Sequence, residues 1–177
     1  MWKPNKSYTH ILALDPSGDF TKGKGTTGVC YMNAYNNYIE VFEIKATDFT
    51  DKEIYWDKVI QTIAGYKAVF NDIVVVVEDY ILYAEKAENQ IHSLLETPRL
   101  IGIIQWYCYA NDIPCYLEFA SVVKHRWTLA ILEHKGYLQK KGRSYTIAGQ
   151  PFSDHCVDAL RHAVHYATFM NKGKKTK

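Results

Sequence analysis

Residues 73–79 read IVVVVED. An unbroken apolar run dominated by β-branched residues, with no polar alternation, is the pattern of a central strand covered on both faces. It ends in two acids, Glu78 and Asp79. Upstream, HILALD at 10–15 has the same character: a buried strand that delivers a carboxylate, Asp15, at its C-terminal end, followed by the turn-rich PSGDFTKGKGTTG. If the two strands are parallel neighbours, their C-terminal ends bring Asp15 and Glu78 together across the sequence gap.

The flanking segments build a sheet around this pair. VCYMN at 29–33 and YIEVFEI at 38–44, separated by Tyr35, Asn36 and Asn37, predict an antiparallel meander with the first strand. Trp56, Val59, Ile60, Ile63, Ala64 and Tyr66 recur at the spacing of one apolar helix face, over about 53–69. A second helical region covers about 86–111, interrupted near Pro98, and Cys115, Tyr116 and Leu117 form a short strand ending near Glu118. Residues 121–138 are mostly helix-compatible, and Lys140 through Pro151 are rich in turn formers and charges. The last helix starts near Ser153 and buries Leu160, Ala163, Val164 and Ala167. The expected class is α/β: a mixed sheet with antiparallel first strands, parallel central strands and flanking helices.

A chain of 177 residues with 47% hydrophobic and 23% charged residues fits one domain, expected over 1–170 with a short basic tail at 171–177. No apolar run approaches the roughly 20 residues that span a bilayer, and MWKPNKSYTH lacks the apolar stretch of a signal peptide. No membrane partner and a cytoplasmic location are therefore expected, the host cytoplasm for a phage-encoded chain. Cys30, Cys108, Cys115 and Cys156 are scattered without a CxxC pair, which excludes a zinc module or a disulfide scaffold as the organising principle. The formal charge of +2 permits nucleic-acid binding without establishing it.

A third acid, Asp158, lies within SDHCVDALRHAVHYA at 153–167, where the helix can return it to the same sheet edge. Three gathered carboxylates repel one another and are costly to desolvate, so a divalent cation is a physical reason to assemble them. Mg²⁺ accepts oxygen ligands and retains water, which suits phosphodiester hydrolysis.

In this order of elements the chain resembles the RuvC family of Holliday-junction resolvases, within the ribonuclease H-like superfamily, particularly its phage and bacterial members. The resemblance is carried by HILALDPSG, TTGVCYM, IVVVVED, TPRLIGIIQWYCYANDIPCYLEFASVVK and DHCVDALRHA. It implies that Asp15, Glu78, His155 and Asp158 are the catalytic and metal-binding residues of a site holding two Mg²⁺ ions, with Mn²⁺ able to substitute. It further implies a homodimer that nicks opposed strands of branched DNA, the four-way junction, leaving 5′-phosphate and 3′-hydroxyl ends.

Two assignments have competitors in the sequence itself. His155 and Asp158 are three residues apart on one helix face, but Asp154 and Asp158 form a competing i, i+4 carboxylate pair. Asp79 adjoins Glu78, yet strand alternation sends the two to opposite faces, leaving Asp79 as a cap, an outer partner or a solvated acid. For DNA, the resemblance of the VVK segment points to Lys124; Arg126, Lys135, Lys140, Lys141 and Arg143 extend the basic region, where they would hold backbone phosphates without reading bases. Phe20 and the stretch from Tyr80 through Tyr83 are candidates for base stacking or for ordinary packing. His92, His125, His134, His162 and His165 form no short ligand motif. The competing functions are a hydrolase of RNA–DNA hybrids and a structure-selective DNA-binding protein without turnover.

Overall fold

The computed structural model describes residues 7–20, 24–81, 95–142, 144–147 and 149–171. Its main sheet has five strands: β1 (His10–Asp15), β2 (Thr26–Asn33), β3 (Tyr38–Lys45), β4 (Ile73–Asp79) and β5 (Cys115–Phe119), in the spatial order β3-β2-β1-β4-β5. β1, β2 and β3 pair antiparallel, whereas β1, β4 and β5 run parallel. The two apolar runs that end in acid are thus adjacent, with Leu14 opposite Val77.

Side-chain alternation splits the core into two layers. Ile11, Ala13, Cys30, Met32, Val74 and Val76 face one side; Leu12, Leu14, Val29, Tyr31, Val75 and Val77 face the other. The second layer is closed by α1 (Lys52–Val69), through Tyr55, Val59 and Ile63, and by α2 (Glu96–Ala110), through Leu100, Ile101, Ile104 and Cys108. The first layer is closed by α3 (Ala120–Arg126), α4 (Leu129–His134) and α5 (Asp154–His165), whose Val157, Ala159, Leu160, Ala163 and Val164 are buried.

Helix starts follow local chemistry. The Asp51 carboxylate accepts from Ile54 N at 2.8 Å at the head of α1, and the Ser153 hydroxyl accepts from Cys156 N at 3.5 Å at the head of α5. Pro98 does not interrupt α2. It sits in the first turn, where a missing N–H leaves no helical bond unmade, and the chain enters through Leu95 in the left-handed region, at φ 51°. Residues 86–94 of the expected second helix lie outside the described residues, as do Leu82 and Tyr83 of the candidate stacking stretch, His92, Arg143 and the tail from 172 onward.

Three details depart from the sequence reading. Residues 121–138 form two short helices, α3 and α4, broken at Trp127 and restarted by Thr128, whose hydroxyl accepts from Ile131 N. The charged, turn-rich stretch forms a second, three-stranded antiparallel sheet of β6 (Gln139–Lys141), β7 (Ser144–Ile147) and β8 (Gln150–Pro151). Ala167 lies past α5 in a π-helical turn, Tyr166–Met170, and is only partly buried. No helix among the described residues is long and apolar enough to cross a membrane.

Candidate metal centre

Parity along three strands decides which polar groups meet. Asp15 lies on the same side of β1 as Ile11 and Ala13, Glu78 on the same side of β4 as Val74 and Val76, and Glu118 on the same side of β5 as Tyr116: all face α5. Asp79 has the opposite parity and accepts from the backbone N of Tyr80 at 2.9 Å.

The loop that follows Asp15 is pinned from the other layer. Tyr55 donates its hydroxyl to Ser17 O at 2.7 Å, Trp56 Nε1 donates to Gly18 O at 3.1 Å, and Gly18 N donates to the Thr97 hydroxyl at 3.0 Å. Phe20 N donates to the buried Glu96 carboxylate at 3.1 Å, and the half-buried Phe20 ring packs toward Tyr55 with centroids 6.3 Å apart. The chain leaving β1 is thereby held, and with it the position of Asp15.

Asp15, Glu78 and Asp158 each offer one carboxylate oxygen, and the three oxygens lie within 4.8 Å of one another. An all-oxygen, partly buried set of acids from three elements fits a hard divalent cation such as Mg²⁺. The charge balance of the cluster points the same way, because a cationic side chain already occupies it: Lys124 Nζ lies 2.7 Å from Asp158 Oδ2 and 3.4 Å from Glu78 Oε1. Burial disfavours the Lys124 ammonium, but the hydrogen bond to Asp158 and the charge of Glu78 outweigh it and raise its pKa.

The remaining partners surround the acids. His155 Nδ1 is 2.8 Å from Asp15 Oδ2, while Asp154, one residue earlier, is exposed. Burial and the nearby Glu78 push the Asp15 carboxyl up despite the hydrogen bond to His155, and that same bond raises the His155 pKa. Arg161 Nη1 donates to Asp158 Oδ1 at 2.6 Å, with its Nε bound to Trp127 O at 2.8 Å. His162 is fully buried, with Nε2 3.1 Å from Glu78 Oε2 and Nδ1 3.0 Å from Glu118 Oε2. Burial works against its charged form, yet the two carboxylates prevail and lift its pKa to about 9. Desolvation would raise Glu78, but His162 and Lys124 together hold it below the ordinary carboxylate range.

Arg161, His162 and Glu118 are not legible as site residues in the sequence. The one available signal is that Arg161 and His162 follow Asp158 by three and four residues and so return to its side of the helix. The basic residues separate into two groups. Lys124 is inside the acidic cluster. Arg126 is exposed and stacks its guanidinium 4.4 Å from the Phe169 ring centre, and Lys135, Lys140 and Lys141 are exposed at the end of α4 and on β6. Arg143 is outside the described residues.

The architecture is that of the ribonuclease H-like class: a mixed five-stranded sheet with flanking helices and acids at the C-terminal ends of its central strands. Among solved structures, the chain superimposes on Thermus thermophilus RuvC in complex with a Holliday junction substrate, with a TM-score of 0.65 and 13% identity over 90% of this chain and 93% of that one. It also matches a second Thermus thermophilus RuvC structure, with a TM-score of 0.53 and 14% identity over 89% and 93% of the two chains. No protein-family model and no curated protein matches the sequence. At this identity the likeness establishes the fold, and the fold is RuvC-like.

Proposed function

We propose that this chain is a divalent-metal-dependent DNA endonuclease of the RuvC family that cuts four-way junctions by symmetric phosphodiester hydrolysis as a homodimer. The observation that carries the reading is the meeting of Asp15, Glu78 and Asp158 from β1, β4 and α5 within 4.8 Å, on a RuvC-like fold. The related RuvC was captured with a Holliday junction substrate, which supports branched DNA as the substrate class here.

In this reading Asp15, Glu78 and Asp158 would hold two Mg²⁺ ions, with His155 as the fourth residue of the set. When bound, the ions would supply Lewis-acid activation of a water nucleophile and charge neutralisation for the 3′-oxygen leaving group; the expected ends are 5′-phosphate and 3′-hydroxyl. His155 keeps Nδ1 on Asp15, which leaves Nε2 to orient or deprotonate water. Lys124 brings a partly exposed ammonium to the same place and neutralises the phosphate that approaches it. Arg126, Lys135, Lys140, Lys141 and Arg143 hold backbone phosphates of the DNA.

Two opposed cuts need two copies. α2 offers a surface for the second: Ile103, Trp106 and Tyr109 are exposed, with Trp106 68% accessible. Light scattering of the purified chain reports the assembly.

The deciding experiment compares matched junction, duplex and RNA–DNA hybrid substrates with Mg²⁺, using the native chain and its Asp15→Asn, Glu78→Gln and Asp158→Asn variants. Symmetric, metal-dependent junction cuts that the variants lose are expected. Cleavage of the hybrid alone would reject junction resolution and keep the nuclease; equal rates in all variants would reject the site.

A further inference from the structure

We infer that His162 is a positioning residue: braced from behind by Glu118, it holds the Glu78 carboxylate in the orientation that metal binding requires. The inference rests on the metal-nuclease reading of the site and adds two residues to it.

The register of β4 and β5 puts Glu78 beside Glu118 on neighbouring parallel strands, facing the same way. Two such acids would repel each other and splay apart. The His162 ring enters between them from α5, and its nitrogens lie 3.1 Å from Glu78 Oε2 and 3.0 Å from Glu118 Oε2. An imidazole is rigid and its two nitrogens point in different directions, so a ring anchored on Glu118 fixes where Glu78 Oε2 can lie. The other Glu78 oxygen, Oε1, then faces the cluster, 3.4 Å from the Lys124 ammonium that also binds Asp158.

His162 has no exposed surface and cannot touch DNA or solvent water. Glu118 Oε1 is buried without a hydrogen-bond partner among the described residues, a desolvation cost with no local return. Well-packed apolar side chains at 118 and 162 would close the same space at lower cost, since a buried charged group is weak as a stabilising device. Orientation of Glu78 is what the polar arrangement supplies and apolar packing cannot. α5 connects the parts: it carries Asp158 and, one turn later, His162, so one rigid helix sets the position of two of the three acids relative to each other.

The test measures binding of Mn²⁺ alone, by the loss of its free-ion paramagnetic signal, and the Mg²⁺ dependence of junction cleavage. It uses the native chain, His162→Phe, His162→Gln and Glu118→Gln. Loss of a residue that orients a metal ligand costs about 10–100-fold in metal affinity. His162→Phe is expected to weaken Mn²⁺ by that factor and raise the half-saturating Mg²⁺ equally, with the maximal rate recovered at saturating metal. His162→Gln retains an amide donor for Glu78 and restores part of the loss; Glu118→Gln loosens the brace and weakens metal by roughly 10-fold. Melting curves identify folded variants, and if His162→Phe does not fold, Glu118→Gln decides. Native Mn²⁺ affinity in the folded variants, or a lost maximal rate that metal does not recover, overturns the role of His162. If Asp15→Asn binds Mn²⁺ as the native chain does, the metal site itself is wrong, independently of His162.

Discussion

Gly28 of β2 lies against the backbone carbonyl of His155: a Cβ at this position would overlap that oxygen and its carbon and come within 2.9 Å of Cys156 N. Gly28 is also the strand partner of Asp15. The missing side chain therefore lets the first turn of α5 settle on the sheet beside Asp15, close enough for His155 Nδ1 to reach Asp15 Oδ2 at 2.8 Å. Both neighbours are backbone, which cannot rotate away. Gly28→Ala is expected to destabilise the fold by about 1–3 kcal/mol, the usual range for overpacking, and to reduce cleavage at temperatures where the variant remains folded. Thermal melts and junction cleavage measured in parallel check both; an unchanged melt would show that α5 can shift freely.

Asp15→Asn separates stability from function. Burial and Glu78 already push the Asp15 carboxyl up, so the fold disfavours its charge. The neutral isostere removes that cost and forfeits the ionic character of the contact with His155. In metal-free buffer the variant should melt within about 1 kcal/mol of the native chain. Mg²⁺ should raise the native melting temperature and leave the variant nearly unmoved, while cleavage falls by roughly 100-fold or more.

Lys124 and a divalent cation compete for the same oxygens of Glu78 and Asp158. Lys124→Met should lower the metal-free melting temperature, because Glu78 and Asp158 then lose the ammonium they share and retain His162 and Arg161 as partners, and should enlarge the stabilisation gained on adding Mg²⁺. Cleavage should nevertheless drop by roughly 10–100-fold, equivalent to a charged hydrogen bond of about 1.5–3 kcal/mol. A metal titration followed by both melting and cleavage distinguishes this pattern from simple unfolding.

The buried imidazole between Glu78 and Glu118 predicts an alkaline limit for the metal-free protein. Its pKa is lifted to about 9 in the fold from an ordinary 6.5, so its stabilising contribution is complete below about pH 6.5 and is lost as the pH rises through about 9. The full loss is on the order of 3 kcal/mol, or roughly 6–12 °C in melting temperature for a chain of this size. Melts in chelator between about pH 6 and pH 10 should show this decline in the native chain and a flatter profile in His162→Gln.

Much of this architecture is written locally. The β-branched runs at 10–15 and 73–79 name two buried strands, because such runs suit a sheet covered on both faces, and strand alternation alone separates Glu78 from Asp79. The start of α5 is legible in Ser153, whose hydroxyl supplies the cap. The small sheet at 139–151 is not: its strands are two to four residues long, and of them SYTI in β7 alone alternates polar and apolar residues, so their pairing depends on neighbours in space.

The same division runs through the site. That Asp15 and Glu78 end buried strands, and that Asp158 shares a helix with His155, follows from periodicity within single elements and is readable before any folding. The adjacency of β1 and β4, the approach of His155 rather than the exposed Asp154 to Asp15, and the seat of Lys124 among the acids emerge only on folding. So does the link from Glu118 to Glu78 through His162. Contacts between elements distant in the chain depend on strand order, register and the rotation of α5 on the sheet, which no local pattern encodes.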